Sequence, residues 1–535
     1  AKQKDLATRL DEGPVQAHLA DSLLYRHWTG YRDFQYSHLF LATDGKVEAL
    51  TSGALDYPAY GQSWDLSPDG KELCVAVNTD KEAAHSTNHD LFLISLTGDR
   101  TPRRITGDNP ASDGEPQYSP DGRFIAYKLQ TRPGLESDRF QLAVHDRQAG
   151  VRRILSASLD QWVDTFHWSA DGKSIWFTIQ EQGRWPLYRV DVASGKLTRV
   201  LDGHSIREFA LSPDQKRVFF TKTRVGEPVE IWQSALDGKA PARLTSFNQP
   251  LVDAVDFRPA EELWVKGAEG KPVHVFLVKP HGFDPSKKYP LIMNVHGGPQ
   301  MMWSDTLRGD WQVYPGAGYI VAFPNPHGST GYGQAYTDAI SGDWNGKVME
   351  DVDKVAEHLA GLPYVDASRM GAMGWSWGGY AMMWLEGHST RFKALASMMG
   401  VYDLRSMHGA TEELWFPRAE LGGTPWDQPQ RYEATTPSAA VKAFRTPCLV
   451  ITGERDYRVP YTQSLHFFTD LQERGVPSRL IVFKNDGHWP DNLRSMPVYY
   501  NAHLEWFQQH LGGGAAPWKT EDLIRNRAFE APAKP

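Results

Sequence analysis

The sequence has little cysteine, no long apolar run and no excess of basic charge. Only two cysteines, Cys74 and Cys448, occur in 535 residues, which excludes a disulfide framework and leaves two buried free thiols as the expectation. No apolar run approaches the length of about 18 residues that a membrane span needs. With 57 Lys and Arg against 65 Asp and Glu, the formal net charge is −8. That balance argues against binding to a nucleic-acid backbone.

The two ends of the chain also lack clear signals. The opening residues AKQKDLATRLDEGP have a polar, helix-like pattern without the apolar segment of a signal peptide; removal of a signal peptide and loss of a longer segment both remain open. Residues 512–535 are rich in Gly, Ala and Pro, and we expect a loosely ordered tail. Asp and His clusters with metal-ligand spacing are absent, so we expect neither a metal nor an organic cofactor.

What the sequence has in excess is aromatic residues and a repeated motif. The 19 Trp favour sheet-rich packing and binding clefts. Copies of Ser-Pro-Asp-Gly or a close variant follow one another at about 45 to 50 residues, and a worn copy lies at 255–259. Pro sets the second turn position and Gly accepts the positive φ that ends the turn. The strands predicted after the turns are Glu72–Val77, Phe124–Lys128, Ser174–Thr178 and Arg217–Lys222.

Four strands in each repeat are typical of propeller blades. Four complete units are present, with a partial one at His38–Thr51, and the worn copy is expected to lead out of the repeats. Because four blades are few, we expect an incomplete β-propeller over residues 1–270 whose N-terminal blades are missing from this chain. A two-sheet sandwich with chance turn motifs is the alternative.

The second half, residues 271–511, has a different pattern. Short apolar runs such as Leu291–Val295 and Cys448–Thr452 are separated by helix-period stretches such as Val348–Ala360 and Tyr461–Arg474. Apolar strands that alternate with amphipathic helices imply a parallel sheet covered on both faces. About 240 residues are enough for one such domain with its own core.

A nucleophile motif lies in this α/β region. Ser376 is the centre of a G-x-S-x-G sequence, Gly374 to Gly378, at the end of a predicted strand and before a predicted helix. Small residues let the strand and the helix approach closely, and the turn raises the hydroxyl above the sheet at the positive end of the helix dipole. We therefore expect Ser376 to be the nucleophile of a hydrolase.

The partners of a serine nucleophile follow in the order acid, then histidine. Asp456 and His488 each come directly after a predicted strand. We expect His488 to be the general base and Asp456 to orient its imidazole. Two alternatives stay open: Glu454 as the acid, and Asp486 as the group that orients His488.

An oxyanion hole needs two donors that are already in place. The N–H of Trp377, directly after the nucleophile, is one candidate. The Asn-Val-His-Gly-Gly-Pro segment after an early strand is expected to supply the other, because its glycines let the backbone approach a substrate. We favour the Gly297 N–H, with His296 as an alternative or a support.

Taken in order, these segments resemble the prolyl oligopeptidase family of serine peptidases. The matching segments are HGGP at 296–299, GWSWGGY at 374–380, ERDYRVP at 454–460 and DGHW at 486–489. The repeats in front extend the resemblance over nearly the whole chain and imply a β-propeller followed by an α/β-hydrolase domain. The stretches 323–334, 341–347 and 411–417 resemble most closely the dipeptidyl-peptidase 5 branch, whose neighbour is the acylaminoacyl-peptidase branch.

The resemblance implies further roles. Arg458 matches a residue that binds a substrate carbonyl; a surface salt bridge is the alternative. Trp377, Val459 and residues near 401–415 are implied to form an apolar pocket for the side chain before the cleaved bond. The family usually has seven or eight blades, and the sequence offers no clear pair of glutamates for a free substrate N-terminus, as in the dipeptidyl-peptidase IV branch.

The sequence thus predicts a serine exopeptidase that releases N-terminal dipeptides from short peptides through an acyl-enzyme, with the propeller restricting access by size. The first alternative is an acylaminoacyl-peptidase or esterase with the same triad, and the second is a non-catalytic propeller that binds a partner. The resemblance implies a periplasmic or secreted location, with the cytoplasm still open. A homodimer is an open alternative to a monomer.

Overall fold

The computed structural model describes residues 5, 8–9, 12–33, 35–59, 61–490 and 492–527. The helix-like pattern of the first residues falls mostly outside this described part. Among the described residues, no helix has the length and apolar character to cross a membrane.

Antiparallel strands make up the first half of the chain. Two hairpins, β1–β2 and β3–β4, precede four sheets of four strands each, and each sheet is built from consecutive strands. The strands are Arg26–His27 (β1), Gly30–Tyr31 (β2), Phe40–Thr43 (β3), Lys46–Ala49 (β4), Trp64–Leu66 (β5), Glu72–Val77 (β6), Asp90–Ser95 (β7), Arg103–Arg104 (β8), Asp113–Tyr118 (β9), Phe124–Leu129 (β10), Gln141–Asp146 (β11), Val151–Ile154 (β12), Val163–Trp168 (β13), Ser174–Ile179 (β14), Leu187–Asp191 (β15), Leu197–Leu201 (β16), Phe209–Leu211 (β17), Arg217–Arg224 (β18), Glu227–Ala235 (β19) and Ala242–Arg243 (β20).

The repeated turn connects the first two strands of each sheet. In the second sheet, the Ser119 hydroxyl donates to Asp121 at 2.6 Å and accepts from the Phe124 N–H at 2.8 Å. The same pair of contacts recurs around the serines of the other three repeats. A side chain that satisfies the backbone of a tight turn fixes where the next strand begins. This explains why the starts of these strands were predicted correctly.

Neighbouring sheets share apolar cores. Apolar side chains of the first and second sheets form one buried cluster, those of the second and third another, and those of the third and fourth another. Among the described residues, the backbone ladders of the named strands occur only within each sheet, and no closed barrel is formed. The chain therefore has a β-rich N-terminal region of four sheets in series.

One eight-stranded sheet organises the second half, in the order β21-β22-β24-β23-β25-β26-β27-β28. Its strands are Ala260–Lys266 (β21), Pro272–Val278 (β22), Tyr289–Val295 (β23), Ile320–Asn325 (β24), Val365–Trp375 (β25), Ala394–Met398 (β26), Cys448–Gly453 (β27) and Ser478–Phe483 (β28). The strands from β24 onward in this order pair in parallel, and β21 and β22 are antiparallel additions. The α/β-hydrolase sheet thus begins at Ala260, earlier than the expected residue 271, because β21 pairs with β22 along its whole length.

Helices cover both faces of this sheet, and a large apolar cluster lies on each face. The α-helices are Gln249–Ala254 (α1), Asp310–Gly316 (α2), Gln334–Asp338 (α3), Lys347–Ala360 (α4), Trp377–His388 (α5), Leu404–His408 (α6), Trp415–Glu420 (α7), Pro429–Thr435 (α8), Thr462–Glu473 (α9), Ser495–Leu511 (α10) and Thr520–Ile524 (α11). Short 3-10 turns lie at Ala83–His85, Ala268–Gly270 and Pro437–Ala443. Cys74 and Cys448 are buried free thiols, as expected.

The expected loose tail is wrong for its described part. Helix α11 packs on α10, with Leu523 buried. The Asn501 amide donates to the Trp518 carbonyl and to the Thr520 hydroxyl, both at 3.0 Å. These contacts, which composition does not reveal, hold the segment on the domain. The remainder of the predicted tail, 528–535, lies outside the described residues.

Candidate active site

Ser376 lies on a sharp turn between strand β25 and helix α5. Its backbone has φ 60° and ψ −118°, a strained conformation for a residue with a side chain. A Cβ on Gly374 or Gly378 would collide with the backbone of Gly378 or of Val295. The two glycines therefore permit the close approach of strand and helix that holds the Ser376 side chain at the carboxyl edge of the sheet.

The structure brings Ser376, His488 and Asp456 into one hydrogen-bonded series. The Ser376 hydroxyl lies 2.9 Å from His488 Nε2, and His488 Nδ1 lies 2.6 Å from Asp456 Oδ2. The other carboxylate oxygen of Asp456 accepts from the N–H groups of Arg458 at 3.1 Å and Val459 at 2.9 Å. With both oxygens bonded, Asp456 holds the imidazole with Nδ1 as the donor and leaves Nε2 as the acceptor from Ser376.

The two alternatives to Asp456 lie elsewhere. Glu454 is exposed and joins strand β28 through its backbone N–H, which donates to the Phe483 carbonyl at 2.9 Å. Asp486 accepts from the Ser495 hydroxyl and from the Asn492 N–H. Neither carboxylate is a partner of the His488 ring.

The loop after strand β23 lies against the nucleophile. A Cβ on Gly297 would stand 2.8 Å from the Trp375 carbonyl oxygen and 3.0 Å from Ser376 Cβ. The Gly297 backbone thus borders the same space as the N–H of Trp377, the first residue of α5, and such N–H groups have no partner within their own helix. Both oxyanion candidates thus lie beside the Ser376 turn, and their role stays a prediction.

His296 supports this loop from behind. Its ring is buried, with Nδ1 2.7 Å from the Gly297 carbonyl oxygen and Nε2 2.9 Å from the Ser329 hydroxyl. Burial lowers the pKa of His296 to about 4, so the ring is neutral near pH 7. Because a carbonyl only accepts, Nδ1 carries the proton and donates to Gly297. The structure therefore gives His296 a supporting position and its ring no contact with the Ser376 side chain.

Arg458 lies between two buried glutamates, which is a different setting from an exposed surface salt bridge. Its Nε and one terminal nitrogen contact Glu412 Oε1 at 2.8 and 2.7 Å, and its other terminal nitrogen contacts Glu413 Oε2 at 2.7 Å. Burial raises the pKa of Glu412 and raises that of Glu413 well above its ordinary value. Nothing in the local sequence pattern of these two glutamates separates them from a helix-entry segment, so their pairing with Arg458 could not be predicted.

A cleft of about 470 Å³ adjoins these residues. It extends from Gly298 on the loop after β23, past Arg458, into the β-rich N-terminal region, and Glu136 and Trp415 line it. Glu136 Oε1 accepts from Trp415 Nε1 at 2.8 Å, and among the described residues no cation forms an ion pair with Glu136. Within the described part of the chain, Glu136 is thus a carboxylate of the cleft that has no cation as its partner.

The apolar pocket predicted for the side chain before the cleaved bond stays a prediction. The Trp377 and Val459 side chains are buried in the large cluster on one face of the sheet, together with Val401. They are not among the residues that line the cleft. What Val459 gives the site directly is its backbone N–H, which donates to Asp456. The apolar wall of the cleft comes from other residues, among them Trp28, Phe140 and Trp162.

The hairpin β1–β2 supplies one of these walls. The Trp28 ring lies 3.9 Å from the central guanidinium carbon of Arg458 and 6.2 Å from the His488 ring, measured to ring centroids. The sequence contains no local signal for this placement, because Trp28 is more than 300 residues from its partners. Among the described residues, no group of three or more His, Cys, Asp or Glu could hold a metal ion.

Comparison of the sequence with known proteins identifies relatives of this chain. A sequence model described as the prolyl oligopeptidase family matches residues 306–514. The dipeptidyl-peptidase 5 of Porphyromonas gingivalis is 31% identical over 534 residues, covering 95% of this chain and 77% of that protein. The dipeptidyl-peptidase 5 of Schizosaccharomyces pombe is 31% identical over 516 residues, covering 90% of this chain and 74% of that protein.

Solved structures share the fold. The acylaminoacyl peptidase of Pyrococcus horikoshii superposes with a TM-score of 0.82 at 21% sequence identity, covering 95% of this chain and 80% of that one. At this identity the likeness speaks for the fold alone.

Proposed function

This chain belongs to the prolyl oligopeptidase family of serine peptidases, and from that premise we propose that it releases dipeptides from the free N-termini of short peptides. The observation that carries the proposal is the carboxylate of Glu136, which has no ion-pair partner among the described residues and lies in a cleft that also contains Arg458, next to the Ser376 triad. The names of the curated relatives agree with it. We describe the reaction with these residues in their proposed roles.

Ser376 attacks the carbonyl of the second substrate residue. As the Oγ–C bond forms, the hydroxyl proton passes to His488 Nε2, and Asp456 stabilises the resulting imidazolium. The carbonyl oxygen becomes an oxyanion held by the N–H groups of Trp377 and Gly297. When the C–N bond breaks, His488 returns the proton to the leaving amine, and the dipeptide stays on Ser376 as an ester. Water, deprotonated by His488, adds to this ester; as the C–Oγ bond breaks, His488 returns the proton to Ser376 Oγ and the dipeptide is released.

In this proposal, the cleft beyond the triad limits the released segment to two substrate residues. Arg458 donates to the carbonyl of the N-terminal residue, since its guanidinium is fixed by Glu412 and Glu413. Glu136 accepts from the α-ammonium group. A carboxylate that meets a cation in a partly buried cleft gains a charge-assisted hydrogen bond. A longer N-terminal segment would have to pass through Glu136 and Trp415, so cleavage after the second residue follows from the position of the anchor.

The four N-terminal sheets are, in this proposal, consecutive blades of a β-propeller that limits the size of substrates. Four consecutive-strand sheets with shared cores support that interpretation. We propose the propeller for the region before Ala260 and the catalytic domain for Ala260 to Leu511. In this proposal a peptide reaches Ser376 through the cleft between the two regions.

The test compares kcat/KM for Lys-Ala joined to a chromogenic amine with kcat/KM for the same reporter acetylated on its α-amine. We expect the free amine to be preferred by about 10- to 100-fold, the worth of one hydrogen bond to a charged group. Glu136→Gln should remove most of this preference and leave the acetylated reporter unchanged. Glu208→Gln, at an exposed glutamate of the same region, is the matched control, and Ser376→Ala gives the background.

Equal or better cleavage of the acetylated reporter would replace this proposal with an acylaminoacyl-peptidase. The fold shared with the Pyrococcus horikoshii enzyme makes that the second candidate. In that outcome the same triad acts, and Glu136 does not bind an amine.

A further inference from the structure

The hairpin β1–β2 reaches from the N-terminal region onto the loops that carry the triad. The Trp28 carbonyl accepts from the Tyr457 N–H at 3.1 Å, directly beside Asp456. The Arg26 guanidinium donates to the Ala410 carbonyl and lies 4.8 Å from the centroid of the Tyr457 ring. These contacts fix the hairpin to the catalytic domain through its first strand and its turn.

Within this hairpin, Trp28 is held in an unusual conformation. Its backbone has φ +51°, the left-handed region that a bulky side chain adopts only when its surroundings require it. Its carbonyl accepts from the Tyr457 N–H of the catalytic domain at 3.1 Å. The catalytic domain thus holds the Trp28 backbone through its carbonyl, and Arg458 packs on the indole.

The Trp28 indole lies between the Ser376 triad and the deeper part of the cleft. The Arg458 guanidinium covers it at 3.9 Å, and the His488 ring is 6.2 Å away. Trp28 nevertheless remains 36% exposed and lines the cleft. A rigid aromatic wall with free surface offers contact area to an apolar side chain at little cost in conformational entropy.

We propose that Trp28 is a specificity-determining residue, whose indole forms the wall of the subsite for the side chain of the substrate's N-terminal residue. This rests on the proposed function: Arg458 holds the carbonyl of that residue, and the indole stacked on Arg458 flanks the same residue. The subsite takes large apolar or aromatic side chains, because ring surface rewards apolar contact and offers no partner to a carboxylate.

The test measures kcat/KM for chromogenic dipeptide reporters Xaa-Ala in which Xaa is Gly, Ala, Leu or Phe. Wild-type protein should cleave the Leu and Phe reporters about 10-fold better than the Gly reporter, which corresponds to roughly 50 to 60 Å² of apolar surface removed from water. Trp28→Ala should lower the Leu and Phe values by that factor and leave the Gly value within about twofold. Trp28→Phe should recover most of the preference.

A second series, Gly-Xaa with the variable residue next to the cleaved bond, is the control for position. Trp28→Ala should leave its order of preference unchanged. An equal loss on every reporter would overturn the proposal, because it would mean that Trp28 only supports Arg458 or the hairpin. The labelling rate of Ser376 with a fluorophosphonate and the melting temperature report whether the variant folds with an intact triad.

The same reporters, acetylated on the α-amine, separate this inference from the proposed function. If wild-type protein prefers the acetylated set and Trp28→Ala still removes the discrimination between Gly and Leu, the dipeptidyl-peptidase proposal fails and the role of Trp28 stands. If the free amine is required but Trp28→Ala leaves the order of the Xaa-Ala series intact, the role of Trp28 is refuted and the dipeptidyl-peptidase proposal stands.

Discussion

Replacing Arg458 tests how the buried charges beside the triad are balanced. Arg458→Met keeps the length and apolar contacts of the side chain but removes the cation that faces Glu412 and Glu413, whose side chains are 0% and 7% exposed. Breaking a buried ion pair by removing one partner costs about 3 to 5 kcal/mol, since the other charge stays buried without compensation. We expect a loss of that size in the free energy of unfolding at pH 8.

The loss should depend on pH in a defined direction. Burial already raises the pKa of Glu412 and Glu413 in the folded protein, and removing Arg458 raises both further. A carboxyl whose pKa is higher in the folded state stabilises the fold when it is protonated, and this stability disappears as the pH rises through the folded pKa. The deficit of Arg458→Met should therefore be largest at pH 8 and shrink steadily as the pH falls toward 5.

Urea denaturation followed by tryptophan fluorescence at several pH values provides the measurement. Arg455→Met, at an exposed position on the same loop, should stay within about 0.5 kcal/mol of the wild type. Arg458→Lys restores the charge and should recover most of the stability, although it lacks the planar fork that contacts both glutamates. A deficit under 1 kcal/mol at pH 8, or one that is independent of pH, would refute the reasoning.

Three further predictions concern the triad, the oxyanion loop and a distant buried carboxyl. Asp456→Asn should lower kcat, measured by steady-state kinetics, by about 10³- to 10⁴-fold, because the imidazole loses its required tautomer. A fluorophosphonate labelling rate of Ser376 equal to that of the wild type would contradict this. Gly297→Ala should lower kcat by at least about 100-fold, because its Cβ meets the nucleophile turn, whereas Gly316→Ala, whose Cβ meets nothing within 4 Å, should leave kcat unchanged. Burial raises the pKa of Glu386 to about 7, so its contribution to stability falls as pH rises through about 7; melting curves should show Glu386→Gln gaining on the wild type from pH 6 to pH 8, and parallel curves would argue against it.

Much of the fold follows from local sequence. Strand β6 begins and ends where the turn motif predicts, because Ser67 and Asp69 satisfy the backbone of the turn itself. Helix α4 matches its apolar period to within one residue. The triad was equally accessible, since each member follows the end of a parallel strand, and such ends meet at one edge of a sheet. Geometry at these places is encoded within a few residues.

The substrate side of the site is encoded differently. Glu136, Trp28 and Glu412 come together only when the N-terminal sheets dock on the catalytic domain, and no periodicity connects residues so far apart. The start of the α/β sheet at Ala260 was not recognised for a related reason: most residues of β21 are exposed or half-buried, Glu261 and Glu262 among them, and its place in the sheet follows from its pairing with β22. Tertiary pairing therefore decided what local patterns left open.

The hairpin also determines when the cleft comes into existence during synthesis. The Arg26 guanidinium and its acceptor, the Ala410 carbonyl, are 384 residues apart. At about 5 to 20 residues per second, the ribosome needs roughly 20 to 75 s to make the second partner after the first. The N-terminal sheets end at Arg243 and are complete well before that, whereas the loops that receive the hairpin emerge later. A growing chain thus carries an unfinished site for most of its translation, and the enzyme first meets its substrates as a finished molecule.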